Sequence, residues 1–364
     1  MSAGNLALPR TTRLPGLARL GAVGIALWAV RMLVLGVVVA GVIGTIVKDR
    51  YTAAQWFDFV LFGLTIGSIY AQIALGYTMV YGVLRLINFA HGDIMMCGAF
   101  AGLFIANPLE NSGFLEAHPG LGMAAILAVA MVVSGGIAVL TERIAYRPFR
   151  RVRGLAPLIC AIGVSFFLEQ TFRGFFGSGV KSYPDPAWQR ASFHFRGIDV
   201  PRIDVLVMIL ALAFMGILYL IVQRTRMGMA MRAVSEDGEA AALMGVDIDK
   251  VVVFTFLLGG AMAGIAGVFY AFLYKQVYFY MGFTPGIKAF GAAVLGGIGS
   301  VPGAVLGGLF LGLVESVGPT LVLDGLGVPA PYQLRDVIAY TLLILVLIFR
   351  PEGILGERMA RKRA

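Results

Sequence analysis

The chain has 364 residues, 59% of them hydrophobic and only 13% charged, with a mean hydropathy of +0.86. A soluble fold of this length could not bury so much apolar surface, so the composition excludes a soluble catalytic domain and indicates a polytopic membrane protein. The formal charge of +9 would suggest nucleic acid in a soluble chain. Here the basic residues gather in short loops between apolar runs, as inner-face loops do, and nucleic acid is excluded as a partner.

Residues 1–19 carry Arg10, Arg13 and Arg19 without an apolar run and read as a basic cytoplasmic tail. Residues 20–50 hold an apolar stretch that is long for a signal peptide and lacks a small-x-small cleavage site. They predict an uncleaved helix over about 28–47, with Arg31 drawn to the inner interface. After a short outer loop, 48–55, comes an apolar run, 57–86, interrupted by Gly63, Gly67, Gly76 and Gly82. It exceeds the ~20 residues of one span and predicts a tilted, kinked or broken helix. The polar cluster Asn88–Asp93 leads into a span over 94–106, and 107–120 reads as an outer loop.

The chain crosses back over 121–140, and Arg143, Arg147, Arg150, Arg151 and Arg153 mark the inner face. The span 155–176 contains Glu169 and Arg173, one helical turn apart and able to pair. Residues 178–204 form the longest polar loop, outside. The span 205–222 returns to an inner loop, 223–250, and 251–274 leaves it with a close-packing Gly260-x-x-x-Gly264. Within 287–317, the run Gly296 to Gly303 rules out a continuous helix, so the stretch re-enters or crosses twice as two short segments. A last span, 337–349, meets Arg350 and a basic inner tail, 357–364, with Arg358, Arg361, Lys362 and Arg363. The fold expected is an all-α polytopic membrane protein with about 8–10 transmembrane segments, broken or re-entrant helices included. Cys97 and Cys160 lie in apolar stretches without paired spacing, which indicates neither a disulfide framework nor a metal site.

The inner loop Gln223–Lys250 organises the chain. Arg224, Arg226 and Arg232 crowd its first part. Its second part predicts a short helix capped by Ser235, with Glu236, Asp237 and Glu239 in the first turn and Gly245 at its end. Ala240, Ala241, Leu243 and Met244 leave a weakly apolar face, that of a docking element or of a plain connecting loop. Glu239-Ala240-Ala241 followed by Gly245 resembles the E-A-A-x-x-x-G loop of ABC-importer permeases, the short helix that sits in a cleft of the ATPase subunit.

The two predicted helix breaks form the second candidate site: Asn88, His91 and Asp93, and Gly296, Gly297, Gly299, Ser300 and Gly303. Their groups either cap a broken helix or line a substrate path. His91, His118 and His194 lie in separate segments without metal-ligand spacing, so no catalytic residue is assigned. Asp93, Glu169, Asp58, Glu315 and Asp336 fall near span ends. The lack of mid-span charge suits a small uncharged or zwitterionic solute, and leaves an ion-coupled secondary transporter as the alternative class.

Residues 57–356 resemble, in order and without large gaps, bacterial branched-chain amino acid ABC-transporter permeases of the LivH type. The resemblance is carried by GLTIGSIYAQIALGYTMVYGVLRLINFAHGDIMMCGAF (63–100), TERIAYRPFR (141–150), RMGMAMRAVSEDGEAAALMGVDIDKV (226–251), KAFGAAVLGGIGSVPGAVLGGLFLG (288–312) and RPEGILG (350–356). Residues 1–50 fall outside it. The resemblance implies a permease of the bacterial inner membrane, with both termini cytoplasmic, that forms a translocation path through the lipid bilayer. It also implies cytoplasmic ABC ATPase subunits, a second permease (LivM-like) or a second copy of this chain, and a periplasmic substrate-binding protein. The chain has no G-x-x-x-x-G-K-[ST] phosphate loop, so ATP is hydrolysed by partner subunits and no cofactor is expected on this chain. Leucine, isoleucine and valine or related small amino acids are the substrates implied, with urea, another small amide or an organic acid as the alternative. The loop 178–204, with Tyr183, Trp188 and Arg190, is either a docking surface for the binding protein or a lid.

Overall fold

A computed structural model describes residues 22–150, 152, 155–195, 198–350 and 353–355. The expected tails, 1–19 and 357–364, and Arg151 and Arg153 lie outside the described residues. Among the described residues, nine helices are long and apolar enough to cross a membrane. The polytopic all-α architecture read from the hydropathy pattern is therefore the observed one. The chain divides into two compact units, one of residues up to Arg50 with Thr320–Pro331, the other of Tyr51–Pro319 with the residues from Tyr332 onward.

The first unit is built on α1 (Ala22–Lys48). Gly41 and Gly44 leave no room for a Cβ beside Val322 and Gly325. The Thr45 hydroxyl donates to the Leu321 carbonyl at 3.0 Å, Lys48 Nζ donates to the Asp324 carbonyl at 2.6 Å, and Arg50 pairs with the Asp324 carboxylate at 3.1 Å. Segment 320–331 thus groups with the N-terminal helix, although it lies within the stretch 57–356.

The second unit is organised around α2 (Ala53–Leu84), a single uninterrupted helix of 32 residues opened by a capping box between Thr52 and Gln55. At ~1.5 Å per residue it is about 48 Å long, more than the ~30 Å hydrocarbon core, and most of it is buried among other helices. α3 (His91–Asn111) and α4 (Phe114–Ala117) occupy much of the expected outer loop 107–120. Then follow α5 (Pro119–Thr141), α6 (Ala156–Phe176), α7 (Ala187–Arg190), α8 (Arg202–Arg224), α9 (Arg226–Glu236), α10 (Gly238–Leu243) and α11 (Ile248–Tyr274). α12 (Phe283–Gly296), α13 (Val301–Gly318) and α14 (Arg335–Phe349) complete the unit.

Small residues let these helices touch backbone to backbone, the contact that replaces hydrophobic burial in lipid. α2 and α13 run antiparallel, with Gly312 on Gly67 and Gly308 on Ala71, and a Cβ at either α13 glycine would run into the facing Cα. α11 lies on α5 through the predicted Gly260 and Gly264, which face Ala138, Ser134 and Ala130.

The described residues of loop 178–204 include short strands. β1 (Lys181–Ser182) pairs antiparallel with β4 (Gln276–Val277), and β2 (Ser192–Phe195) with β3 (Ile198–Pro201). Glu169 and Arg173 do not form the expected pair. Glu169 is on the buried face of α6, turned toward Asp93, whereas exposed Arg173 donates to Gln170 Oε1 at 3.4 Å and lies over the Phe279 ring.

Candidate functional site

The inner loop is three capped helices in succession. Thr225 caps α9 by accepting from the Gly228 amide at 3.0 Å. Arg232 folds back so that Nη1 donates to the Val222 carbonyl at 2.6 Å and to Gln223 Oε1 at 3.0 Å, answering an orphan carbonyl at the end of α8. Ser235 is not the cap expected of it. It lies in the last turn of α9, where its hydroxyl donates to the Arg232 carbonyl at 2.7 Å, and Glu236 is that helix's last residue. The helix runs on past Ser235 because nothing interrupts Arg226–Glu236. Asp237 is the residue with extended backbone, and it caps α10 by accepting from the Glu239 and Ala240 amides, both at 3.0 Å.

α10 carries the Glu239-Ala240-Ala241 motif. Ala241 is buried against its neighbours, whereas Leu243 and Met244 are 89% and 85% exposed. Gly245 closes the turn as predicted, with φ +86°, its amide on the Ala242 carbonyl and that of Val246 on the Ala241 carbonyl. That left-handed conformation is the one glycine adopts without a Cβ penalty. Asp247 caps α11 by accepting from the Lys250 amide at 3.1 Å. The amide and ammonium of Lys250 hold its carboxyl below the usual carboxylate range. The loop is tied to the preceding basic one: Arg147 and Arg150 both reach Asp249 at 2.5 Å, and Arg150 also bonds buried Glu142.

The first predicted break lies inside the bundle. After α2 ends, residues 85–90 run back so that the His91 ring packs on Gly76 and Gly259, eight residues or about 12 Å before the end of α2. No side chain caps α3. Asn88 Oδ1 instead accepts from the Tyr146 hydroxyl at 2.7 Å, Asp93 accepts from the Ser165 hydroxyl, and His91 stands edge-on to Tyr77 at 4.8 Å. Asn88, His91 and Asp93 are each 2% exposed or less, and the backbone of Gly92 meets that of Gly282 just ahead of α12. The starts of α3 and α12 therefore meet in one closely packed place.

The second break is a tight hairpin between α12 and α13. Gly297 and Gly299 have φ +105° and +97°, and Gly296 and Gly303 meet backbone to backbone. Ser300 caps α13 by accepting from the Gly303 amide at 3.2 Å. The C-terminal Ile354 and Leu355 amides satisfy the Leu295 and Gly296 carbonyls. The structure does not bring these glycines together with Asn88, His91 and Asp93 in one cavity; they form the opposite end of α12.

One polar cluster escaped the sequence reading. Lys288 of α12, 3% exposed, donates to Glu315 of α13 at 2.6 Å and to Asp336 of α14 at 2.7 Å, with Arg335 3.7 Å from both carboxylates. Glu315 lies three residues from the end of α13 and Asp336 is the second residue of α14, near helix ends as expected, and Lys288, which the sequence reading passed over, pairs with both. The cluster's only local signal was a lysine in the otherwise apolar run 287–295.

A family model described as branched-chain amino acid transport system / permease component matches residues 59–347. The high-affinity branched-chain amino acid transport system permease protein BraD of Pseudomonas aeruginosa is 41% identical over 305 residues, which cover 82% of this chain and 95% of BraD. The corresponding LivH of Escherichia coli K12 is 38% identical over 303 residues, again 82% and 95% of the two chains. The match begins within α2 and ends within α14, so α1 falls outside it. The bundle with its exposed α10 belongs, on these similarities, to the branched-chain amino acid transport system permease family.

Proposed function

We propose that the chain is the membrane permease subunit of an ATP-driven importer for leucine, isoleucine and valine or related small amino acids. Its basic loops 142–153 and 223–250 face the cytoplasm, and loop 178–204 faces the periplasm, where a substrate-binding protein delivers the solute. A separate ABC ATPase seats on α10, and a second permease or a second copy of this chain completes the path. The observation that carries this reading is α10 itself: a two-turn helix, capped at both ends, that presents Leu243 and Met244 almost fully to solvent. A side chain so exposed and so apolar, on a rigid mount, is what a cleft in a partner recognises.

The test is reconstitution of the chain with the ATPase, second permease and binding protein that co-purify with it from its native membrane, followed by uptake of labelled leucine. The Leu243→Asp/Met244→Asp variant should fold and melt as the parent does but lose the ATPase on purification and lose uptake. Full ATP-driven uptake in that variant would remove the proposal. Uptake of urea in preference to the three amino acids would keep the importer and change its substrate.

A further inference from the structure

Between α5 and α8 lies an apolar groove of about 530 Å³, bounded by Pro119–Met131 on one side, Leu206–Phe214 on the other, and Trp188 of α7 at one end. The groove takes up the first half of both helices, on the side opposite the basic loops. Its length along α5, twelve residue steps or about 18 Å, matches one leaflet of a ~30 Å hydrocarbon core. Its walls run without interruption into exposed apolar side chains, Leu121 and Val132 on α5 and Ile209 and Leu212 on α8.

Trp188 Nε1 is buried and has no hydrogen-bond partner among the described residues. An indole N–H donates only and, once buried, needs an acceptor. The rim beside it carries both signs of charge. Arg190 ends α7, and Arg202 begins α8 with its amide bonded to the Ala191 carbonyl and its guanidinium over Phe193. The acids there are Asp185, shared by Arg190 and Lys275, Glu116, whose carboxylate accepts from the Ala187 amide, Asp199, paired with His194, and Asp204, which is buried. An apolar slot one leaflet deep, ending in one unmet donor and a rim of both charge signs, has the order of groups in a zwitterionic phospholipid: acyl chain, ester, headgroup.

We infer that this groove holds an outer-leaflet phospholipid, with an acyl chain between α5 and α8, an ester oxygen accepting from Trp188 Nε1, and the headgroup at the rim. The inference rests on the reading of α5 and α8 as membrane spans and is independent of the transported solute. A bound lipid here would brace α7 against the bundle.

The test is photolabelling in lipid nanodiscs with a phospholipid bearing a diazirine in its acyl chain, with adducts mapped by mass spectrometry. Labelling should concentrate on Met123–Met131 and Leu206–Phe214, against the exposed Phe166 and Phe167 of α6 as an internal reference for bulk lipid. Trp188→Phe, which keeps the ring and removes the donor, should lower groove labelling about fivefold, the weight of one net hydrogen bond, without lowering the reference. Ala128→Trp, which fills the groove, should abolish it, and Leu210→Trp serves the same purpose if the first variant melts early. Groove labelling no higher than the reference would overturn the inference, as would labelling unchanged by both filling variants. Recovery of the groove residues only in protein–protein adducts would overturn it in favour of a chain packed there. Coupled uptake, measured in parallel, reports on the permease reading separately.

Discussion

Replacing Lys288 by methionine tests how the bundle tolerates charge. The ammonium stands 2.6 Å from Glu315 Oε1 and 2.7 Å from Asp336 Oδ1, and the side chains of Lys288 and Glu315 are each 3% exposed. Methionine keeps most of the stem volume, so packing is nearly conserved. The loss falls on Glu315, left buried with Arg335 at 3.7 Å and the Tyr70 hydroxyl as its remaining polar neighbours. Removing one partner of a buried pair costs about 3–5 kcal/mol. Glu315→Gln should cost less, about 1.5–3 kcal/mol, because Lys288 keeps Asp336. Asp336→Asn, at a side chain 45% exposed, should cost about 1 kcal/mol or less. Lys288→Met/Glu315→Met should return close to the parent, since two apolar groups need no partners. The assay is reversible unfolding in mixed micelles, followed by tryptophan fluorescence. A Lys288→Met variant within about 1 kcal/mol of the parent, or an Asp336→Asn cost above that of Glu315→Gln, would refute the reasoning.

Gly312→Leu should abolish accumulation of folded protein, because the facing Gly67 backbone leaves no room for even a Cβ; detergent-solubilised yield by gel filtration measures it. Tyr146→Phe leaves buried Asn88 Oδ1 without its donor and should cost about 1–3 kcal/mol in the same unfolding assay, with uptake reporting whether the cluster also serves the path. Asp247 has a folded pKa below its ordinary 3.8, so its cap on α11 is fully effective above that value and is lost as pH falls through the lower folded one. Hydrogen exchange at the Lys250 amide, corrected for its intrinsic rate, should quicken only below about pH 4, and Asp247→Asn should remove that pH step.

Most of the helices were legible because bilayer-length apolar runs bounded by arginines leave few alternatives, and Gly245 and the 296–303 hairpin were legible because glycine marks a left-handed turn. The misassigned cap shows the limit of local reading. Ser235 and Asp237 are both good capping residues two positions apart, and the choice depends on how far α9 continues. That is settled by packing, since Met231 and Val234 are buried and Arg85 donates to the Ser235 carbonyl. Lys288 was hidden for a different reason. Its partners lie 27 and 48 residues away on separate helices, and no local pattern announces a pairing at that distance. The entry of residues 85–90 into the bundle was half legible: the polar cluster predicted a break, but not that the His91 ring would lie on Gly76 rather than at the membrane surface.

Asp249 is the point at which movement of α10 would reach the spans. The caps at Asp237 and Asp247 leave little slack on either side of α10, so a push on Leu243 and Met244 passes into the first turn of α11. That turn is held to the segment that follows α5 by Arg147 and Arg150 on Asp249, and farther along α5 and α11 interlock through Gly260 and Gly264. The pair should then move as one body. Asp249→Ala cuts the link at its exposed end, where ion pairs contribute about 1 kcal/mol or less, so stability should barely change. Coupling should change more: with α11 free of α5 at its base, ATP would be hydrolysed with less solute moved per turnover, and Asp249→Glu should restore part of the yield. The measurement is leucine taken up per ATP hydrolysed in proteoliposomes, at low and at high salt. A ratio equal to the parent's in Asp249→Ala, with normal hydrolysis, would show that the two helices need no tie at this end.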